Sequence, residues 1–452
     1  MKKYPFLSLF LLVTITLSLV PVSAAVPQED LGLSCTHAVL LDANHNEVLY
    51  DMKAYEKAYP ASTTKIMTAL LTLEAIEYGL MSLDTPITAG ETRMQGVTYT
   101  YMNGGIKLGE VFTVEELLYM TLLPSYADAA NILAAAVDGT VESFVDHMNR
   151  KASELGCQST HFTNPVGVHN DNHYSTAYDL ALIMQECLNY DAFRAIIKTA
   201  EHKTPATNLS KERYYYNTNG LISNLYRQGY VYKKCIGGKT GTTDEAGLCL
   251  VAAAEDGDEL LISVVLGSGL MEEAGYNNLR QGHFVESRRL LEYGFTNFQR
   301  VTITKDSEPV GKVKVTLSRQ ADEVNVKAQG SITRTLPKSM NLDEIKPHVT
   351  LFDEEVEAPV EAGQVMGVMT LYYGDEEYGR LDLVAVTSVE RSELLYKKKQ
   401  FFEFMQNEGV RIILAVVLFV AAIVILKLIV FRRRRPKAGA AARRGNYKGT
   451  RM

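Results

Sequence analysis

Pro60-Ala61-Ser62-Thr63-Thr64-Lys65 runs straight into the apolar stretch Ile66-Met67-Thr68-Ala69-Leu70-Leu71. Apolar residues at 66, 67, 70, 71, 73 and 76 recur at helical spacing, so Ser62 falls at or near a helix start. Three residues make almost one turn, which puts Ser62 and Lys65 on the same side of the helix and within touching distance. That geometry suits a nucleophile beside its base. An ammonium near the positive end of a helix dipole, ringed by apolar side chains, holds its proton poorly. A lysine that is neutral at working pH can then take the proton of the serine hydroxyl.

Alone, Ser-x-x-Lys also fits a helix cap followed by a solvated lysine. A second motif changes the balance: Lys239-Thr240-Gly241, inside Ile236-Gly237-Gly238-Lys239-Thr240-Gly241-Thr242-Thr243. Ser-x-x-Lys with Lys-Thr-Gly is the motif set of penicillin-binding proteins and class A β-lactamases. The chain resembles the low-molecular-mass penicillin-binding proteins, the serine-type D-alanyl-D-alanine carboxypeptidases, over roughly residues 35 to 390. Phe162-Thr163-Asn164-Pro165-Val166-Gly167 and His173-Tyr174-Ser175-Thr176-Ala177-Tyr178-Asp179-Leu180-Ala181 also resemble the family. On physical grounds the first piece is a turn and the second a capped helix start, so both read as scaffold around the cleft.

The resemblance implies an α/β (α+β) fold, a β-lactamase/transpeptidase-like domain whose central antiparallel sheet is flanked by helices, with a small all-β domain following. It implies Ser62 as nucleophile, Lys65 as base and Ser125 as proton relay. Lys239, Thr240, Gly241 and Thr242 would bind the substrate, Lys239 supplying positive charge for its terminal carboxylate. The backbone N–H groups of Ser62 and Thr242 would form the oxyanion hole. His283 or Arg280 would add to the carboxylate site. No cofactor and no metal are implied; His169 and His173 lack an acidic or cysteine partner to complete a metal set. The implied reaction removes the terminal D-alanine from peptidoglycan stem peptides, with β-lactam antibiotics as covalent inhibitors.

One motif departs from the family. Where members usually read Ser-Gly-Asn-Asp-Ala-Ala, this chain reads Ser125-Tyr126-Ala127-Asp128-Ala129-Ala130. Ala127 stands in place of an asparagine whose amide contacts the lysine and the peptide, and Asn131, a helical turn further on, is badly placed to substitute. The departure keeps a catalytically weak peptidoglycan-binding or sensing homologue in view, beside a D,D-endopeptidase or transpeptidase. A class A β-lactamase fits less well, because no Glu-x-x-Leu-Asn motif is present.

The rest of the chain supplies layout. Residues 1–24 read as a secretory signal, with Lys2 and Lys3, an apolar core from Phe6 to Val20, and small residues at Val22 and Ala24. Residues 25–296 form the serine carboxypeptidase domain and 297–388 a β-rich domain of alternating strands. Residues 389–411 read as a juxtamembrane helix rich in aromatic side chains. Residues 412–431 are apolar but for Lys427, long enough to span roughly 30 Å of hydrocarbon. Arg432 to Arg435 open the basic tail 432–452 and, by the positive-inside rule, put that end in the cytoplasm. The expected location is therefore the cell membrane, single-pass, with the body outside.

Net charge is −7 overall, yet thirteen basic residues at the two ends mask −20 on residues 25–410. So acidic a body argues against nucleic acid as a partner. Five scattered cysteines make no disulfide framework; Cys235 and Cys249 could share neighbouring strands, and free buried thiols are the expectation.

Overall fold

The computed structural model describes residues 30–98, 101–304 and 309–433. The leader at 1–24 and the tail from 434 onward lie outside the described residues. The chain divides into two compact units, one reaching Ile303 and taking back Thr333–Leu342, the other holding Thr304–Ile332 and everything from Asp343.

The first unit is built on a five-stranded antiparallel sheet. Its strands are β1 (His37–Asp42), β2 (Glu47–Met52), β3 (Cys235–Thr243), β4 (Gly247–Asp256) and β5 (Glu259–Ser268), in the order β2-β1-β5-β4-β3. β1–β2 and β4–β5 are hairpins. The strands alternate in the way a sheet covered on both faces requires. Val39, Leu41, Ile262 and Val264 enter one apolar cluster; Ala38, Leu40, Leu261 and Val265 enter another on the opposite face.

The larger cluster is the helical side. α1 (Lys65–Glu77) is buried from Lys65 through Ala75, so it runs through the core. Around it lie α2 (Val114–Leu122), α3 (Ala127–Asp138), α4 (Val141–Glu154) and α5 (Ala177–Cys187), all contributing to the same core. Thr113 and Glu116 make a capping box on α2, and Thr176 caps α5 through the Asp179 N–H at 2.9 Å. Following α6 (Asp191–Lys198), α7 (Gly282–Asn297) closes the other face through Leu290, Leu291 and Phe295. All five cysteines are free thiols: Cys235 lies opposite Ala254 and Cys249 opposite Gly241, on adjacent strands but not facing each other.

The second unit carries a six-stranded sheet: β6 (Pro309–Thr316), β7 (Glu323–Ala328), β8 (Ile345–Leu351), β9 (Glu355–Glu357), β10 (Val365–Tyr373) and β11 (Glu376–Ala385), ordered β8-β10-β11-β7-β6-β9. Only the β6–β9 edge is parallel. Ser392 caps α8 (Glu393–Gln406), which has no buried residue. α9 (Glu408–Arg433) follows after Asn407, and its Glu408–Phe431 segment, whose most apolar 18-residue window has a mean hydropathy of 3.3, is long and apolar enough to cross a membrane.

Gly238 shows how tightly β3 is fitted. A Cβ there would stand 2.2 Å from the Val251 carbonyl oxygen, a backbone atom of the next strand that cannot swing aside. Gly238→Ala should therefore destabilise the first unit by about 2 kcal/mol or more. Urea unfolding reads this directly, and an unchanged midpoint would show that the ladder can yield.

Candidate active site

Ser62 sits in a single 3-10 turn, Ala61–Thr64, that leads into α1, and Ala61 adopts φ +47°. That left-handed backbone at a non-glycine residue is strained, and the surrounding packing has to hold it. Two glycines provide the packing. At Gly241 on β3, a Cβ would lie 2.9 Å from Pro60 O and 3.0 Å from Ser62 N. At Gly167, φ +82°, it would lie 1.9 Å from Ala61 O and 2.9 Å from Ser62 N. The Ser62 turn is clamped between two backbones, and only glycine lets either approach.

Lys65 begins α1 and is 1 % exposed. Its Nζ is 3.0 Å from Ser62 Oγ and donates to the Val166 carbonyl at 2.6 Å. Burial pushes its amine down from the usual lysine range to about 7, with Asp128 pulling weakly the other way. The same Asp128 accepts N–H bonds from Gly104, Ile106 and Ala129, which fix the start of α3 and the loop facing it.

Ser125 also has a left-handed backbone, φ +69°. Its hydroxyl is buried and has no hydrogen-bond partner among the described residues. A buried donor left empty is costly, and such groups gather where a ligand completes them. Lys239 is 1 % exposed and donates to the Thr240 carbonyl at 2.9 Å. Burial, with Lys65 nearby, pushes its amine well below the usual range. Burial thus weakens the hold of Lys239 on the positive charge expected from the sequence. The Thr240 hydroxyl is tied to Thr218 Oγ1 at 2.7 Å, and Thr242 Oγ1 donates to the Gly241 carbonyl at 2.7 Å.

The two remaining suggestions lead elsewhere. Arg280 is committed to Glu273, at 3.0 Å, to the Gly229 carbonyl and to the faces of Tyr230 and Tyr276. His283 is buried on α7 against Phe284, and burial pushes its imidazole down to about 3. His173, weighed as a metal ligand, is a structural pin. Its Nδ1 accepts from the Thr163 N–H at 3.0 Å, so Nε2 carries the proton and donates to Thr64 Oγ1 at 2.8 Å. Asn131 donates to the carbonyls of Arg93 and Gln95, away from the lysine.

Sequence reasoning took the Asn164 turn for scaffold and missed what it does. Asn164 Oδ1 accepts the N–H groups of Val166, Gly167 and Val168, which aims the Val166 carbonyl at Lys65. The signal was Asn-Pro-x-Gly, a turn whose glycine tolerates positive φ.

Residues 23–269 match the family model described as D-alanyl-D-alanine carboxypeptidase, and 298–391 match the C-terminal domain of penicillin-binding protein 5. The chain belongs to the D-alanyl-D-alanine carboxypeptidase family. It is 31% identical to the D-alanyl-D-alanine carboxypeptidase DacF of Bacillus subtilis, over 76% of this chain and 82% of that one. With DacC of Escherichia coli it shares 32% identity over 78% and 83%. Penicillin-binding protein 5 from Haemophilus influenzae superposes with a TM-score of 0.64 at 26% identity, covering 81% of this chain and 99% of the other. The fold is thus that of a transpeptidase-like domain followed by a β domain, with a long apolar helix at the C-terminal end.

The clamp is testable. Gly167→Ala should leave the protein folded but displace the Ser62 turn, slowing covalent labelling by a fluorescent penicillin about 100-fold. Labelling at the parental rate in a folded variant would show that the Val166–Gly167 loop does not position the serine.

Proposed function

We propose that this protein is a serine D-Ala–D-Ala carboxypeptidase acting on peptidoglycan stem peptides. The observation that carries the reading is a buried lysine, held near neutrality, 3.0 Å from the hydroxyl of Ser62. Lys65 takes the Ser62 proton as Oγ attacks the carbonyl carbon of the penultimate D-alanine. The backbone N–H groups of Ser62 and Thr242 stabilise the oxyanion. The C–N bond breaks, Ser125 passes the proton to the departing D-alanine nitrogen, and water hydrolyses the Ser62 ester. The substrate's terminal carboxylate is received by Lys239, Thr240 and Thr242, and its arrival gives the Lys239 amine the anion that makes protonation favourable. β-Lactams acylate the same serine.

One observation favours a second reading, a weak peptidoglycan-binding homologue: Ala127 brings a methyl where the family carries an amide. Incubation with fluorescent penicillin and a D-Ala–D-Ala peptide separates the two. Covalent label with release of D-alanine is the carboxypeptidase; peptide binding without either is the binding protein.

Ser62→Ala should fold normally and lose all penicillin labelling, and label on that variant would rule out Ser62. The acylation rate should climb with pH through about 7, because Lys65 must be unprotonated to act, and should fall away on the acid side. A flat profile from pH 5 to 9 would exclude Lys65 as the base. For orientation, we propose a single C-terminal span with the body outside and a cytoplasmic tail. Protease added to protoplasts should remove residues 25 to about 400 and spare the rest; loss of the arginine-rich tail first would reverse the topology.

A further inference from the structure

Thr218 lies between two buried asparagines that fix the backbone around it. The Asn217 amide donates to the carbonyls of Ile197 at 3.0 Å and Thr199 at 2.9 Å, and its Oδ1 accepts the Asn219 N–H at 2.9 Å. Asn219 Oδ1 accepts the Leu221 N–H at 3.0 Å, and the Thr218 N–H donates to the Leu123 carbonyl at 3.2 Å, two residues before Ser125. From that anchored position the Thr218 hydroxyl makes two contacts. One, at 3.1 Å, is to the same Leu123 carbonyl; the other, at 2.7 Å, is to the hydroxyl of Thr240.

A hydroxyl has one proton to give. A carbonyl only accepts, so the Thr218 proton goes to Leu123, and the short bond to Thr240 is made with the proton of Thr240. In the free site Thr240 therefore spends its donor on Thr218. A carboxylate also only accepts, so Thr240 bonds one by turning that proton away from Thr218. The two oxygens, 2.7 Å apart, then meet lone pair to lone pair unless the Thr218 proton swings from Leu123 to Thr240. The exchange turns two hydroxyls and moves no backbone, and the Leu123 carbonyl keeps the Thr218 N–H.

We infer that Thr218 is a positioning residue for the carboxylate of the peptide. Its hydroxyl accepts the Thr240 proton while the site is free, and donates to the Thr240 oxygen once an anion has taken that proton. Thr240, half-buried on the last strand of its sheet, thus has its oxygen held in one place in both states. The donor behind it also polarises the bond to the anion. This role rests on the proposed function, which brings the carboxylate to Thr240. Release of D-alanine tests that reading, whereas ligands with and without a carboxylate test this one.

The experiment uses the full-length protein in detergent, with Thr218→Val, Thr218→Ala and Thr218→Ser, alone and together with Thr240→Val. Benzylpenicillin, whose carboxylate stands in for that of the peptide, and its methyl ester, which lacks the anion, each compete with a fluorescent penicillin for acylation. The expected result is that Thr218→Val and Thr218→Ala slow acylation by the free acid about tenfold and by the ester less than about twofold, the loss of one hydrogen bond to a charged group. Thr218→Ser keeps the parental rate with both, and in the Thr240→Val background no change at 218 has a further effect. If Thr218→Val does not fold, Thr218→Ala and Thr218→Ser decide. A hydroxyl that only braces Leu123 and the Ser125 loop slows acid and ester alike. Equal slowing of the two, a parental rate with the acid in a folded Val or Ala variant, or an undiminished effect beside Thr240→Val overturns the inference. Should the parent protein neither take the label nor release D-alanine, the proposed function fails, and equilibrium binding of a D-Ala–D-Ala peptide is measured against its C-terminal amide. Weaker binding of the acid alone in Thr218→Val then supports the role of Thr218, and an equal change for both ligands, or none, overturns it.

Discussion

The site depends on one close approach between backbones. The Ser62 turn, strained at Ala61, is held between Gly241 of β3 and Gly167 of the Asn164 turn, and neither contact survives a Cβ. A hydrophobic core is tolerant of shape, because side chains can repack. Backbone against backbone has no such freedom. Ser62 therefore has its place fixed by the sheet on one side and by a loop on the other, while Lys65 opens α1 beside it. Fold and site are coupled here through three short segments that are far apart in sequence.

A second constraint is electrostatic. Lys65 and Lys239 are each 1 % exposed, and no carboxylate bonds to either amine in the described residues. Two bare ammonium groups at close quarters in a low dielectric repel each other and lose hydration. The pair therefore holds its protons less firmly than exposed lysines do, and an anion brought to Lys239 would strengthen its hold. In the proposed reaction that anion is the terminal carboxylate of the peptide, which would link base strength to substrate charge.

Local features were legible in the sequence and distant ones were not. Ser62 and Lys65 are joined by helical geometry, so a three-residue spacing sufficed to predict a 3.0 Å contact. The capping box at Thr113 and the β4–β5 hairpin are equally local, and both form as the residues indicate. Val166 is 101 residues from Lys65, and nothing in Asn-Pro-Val-Gly says which side chain its carbonyl will meet. His173 looked like a stray ligand because its partners, Thr64 and Thr163, are assembled only by the fold. Arg280 looked available because its charge is visible in sequence while its pairing with Glu273 and two tyrosine rings is not. Ser125 and Lys239 were named through the family resemblance alone, and nothing local in the sequence says that the Ser125 hydroxyl goes unpartnered among the described residues or that the Lys239 amine bonds the Thr240 carbonyl.

The position of β3 has a further consequence, for self-association. As the last strand of its sheet it presents an unpaired edge, the kind of surface on which chains add to one another and aggregate. Against this strand, Ile197 of α6 packs where a side chain at Gly237 would stand, and the Ser62 turn packs where one at Gly241 would. The segment that carries the serine therefore borders the place in the sheet where another chain could add, and a change that loosens the Ser62 turn would also loosen the support of that edge strand.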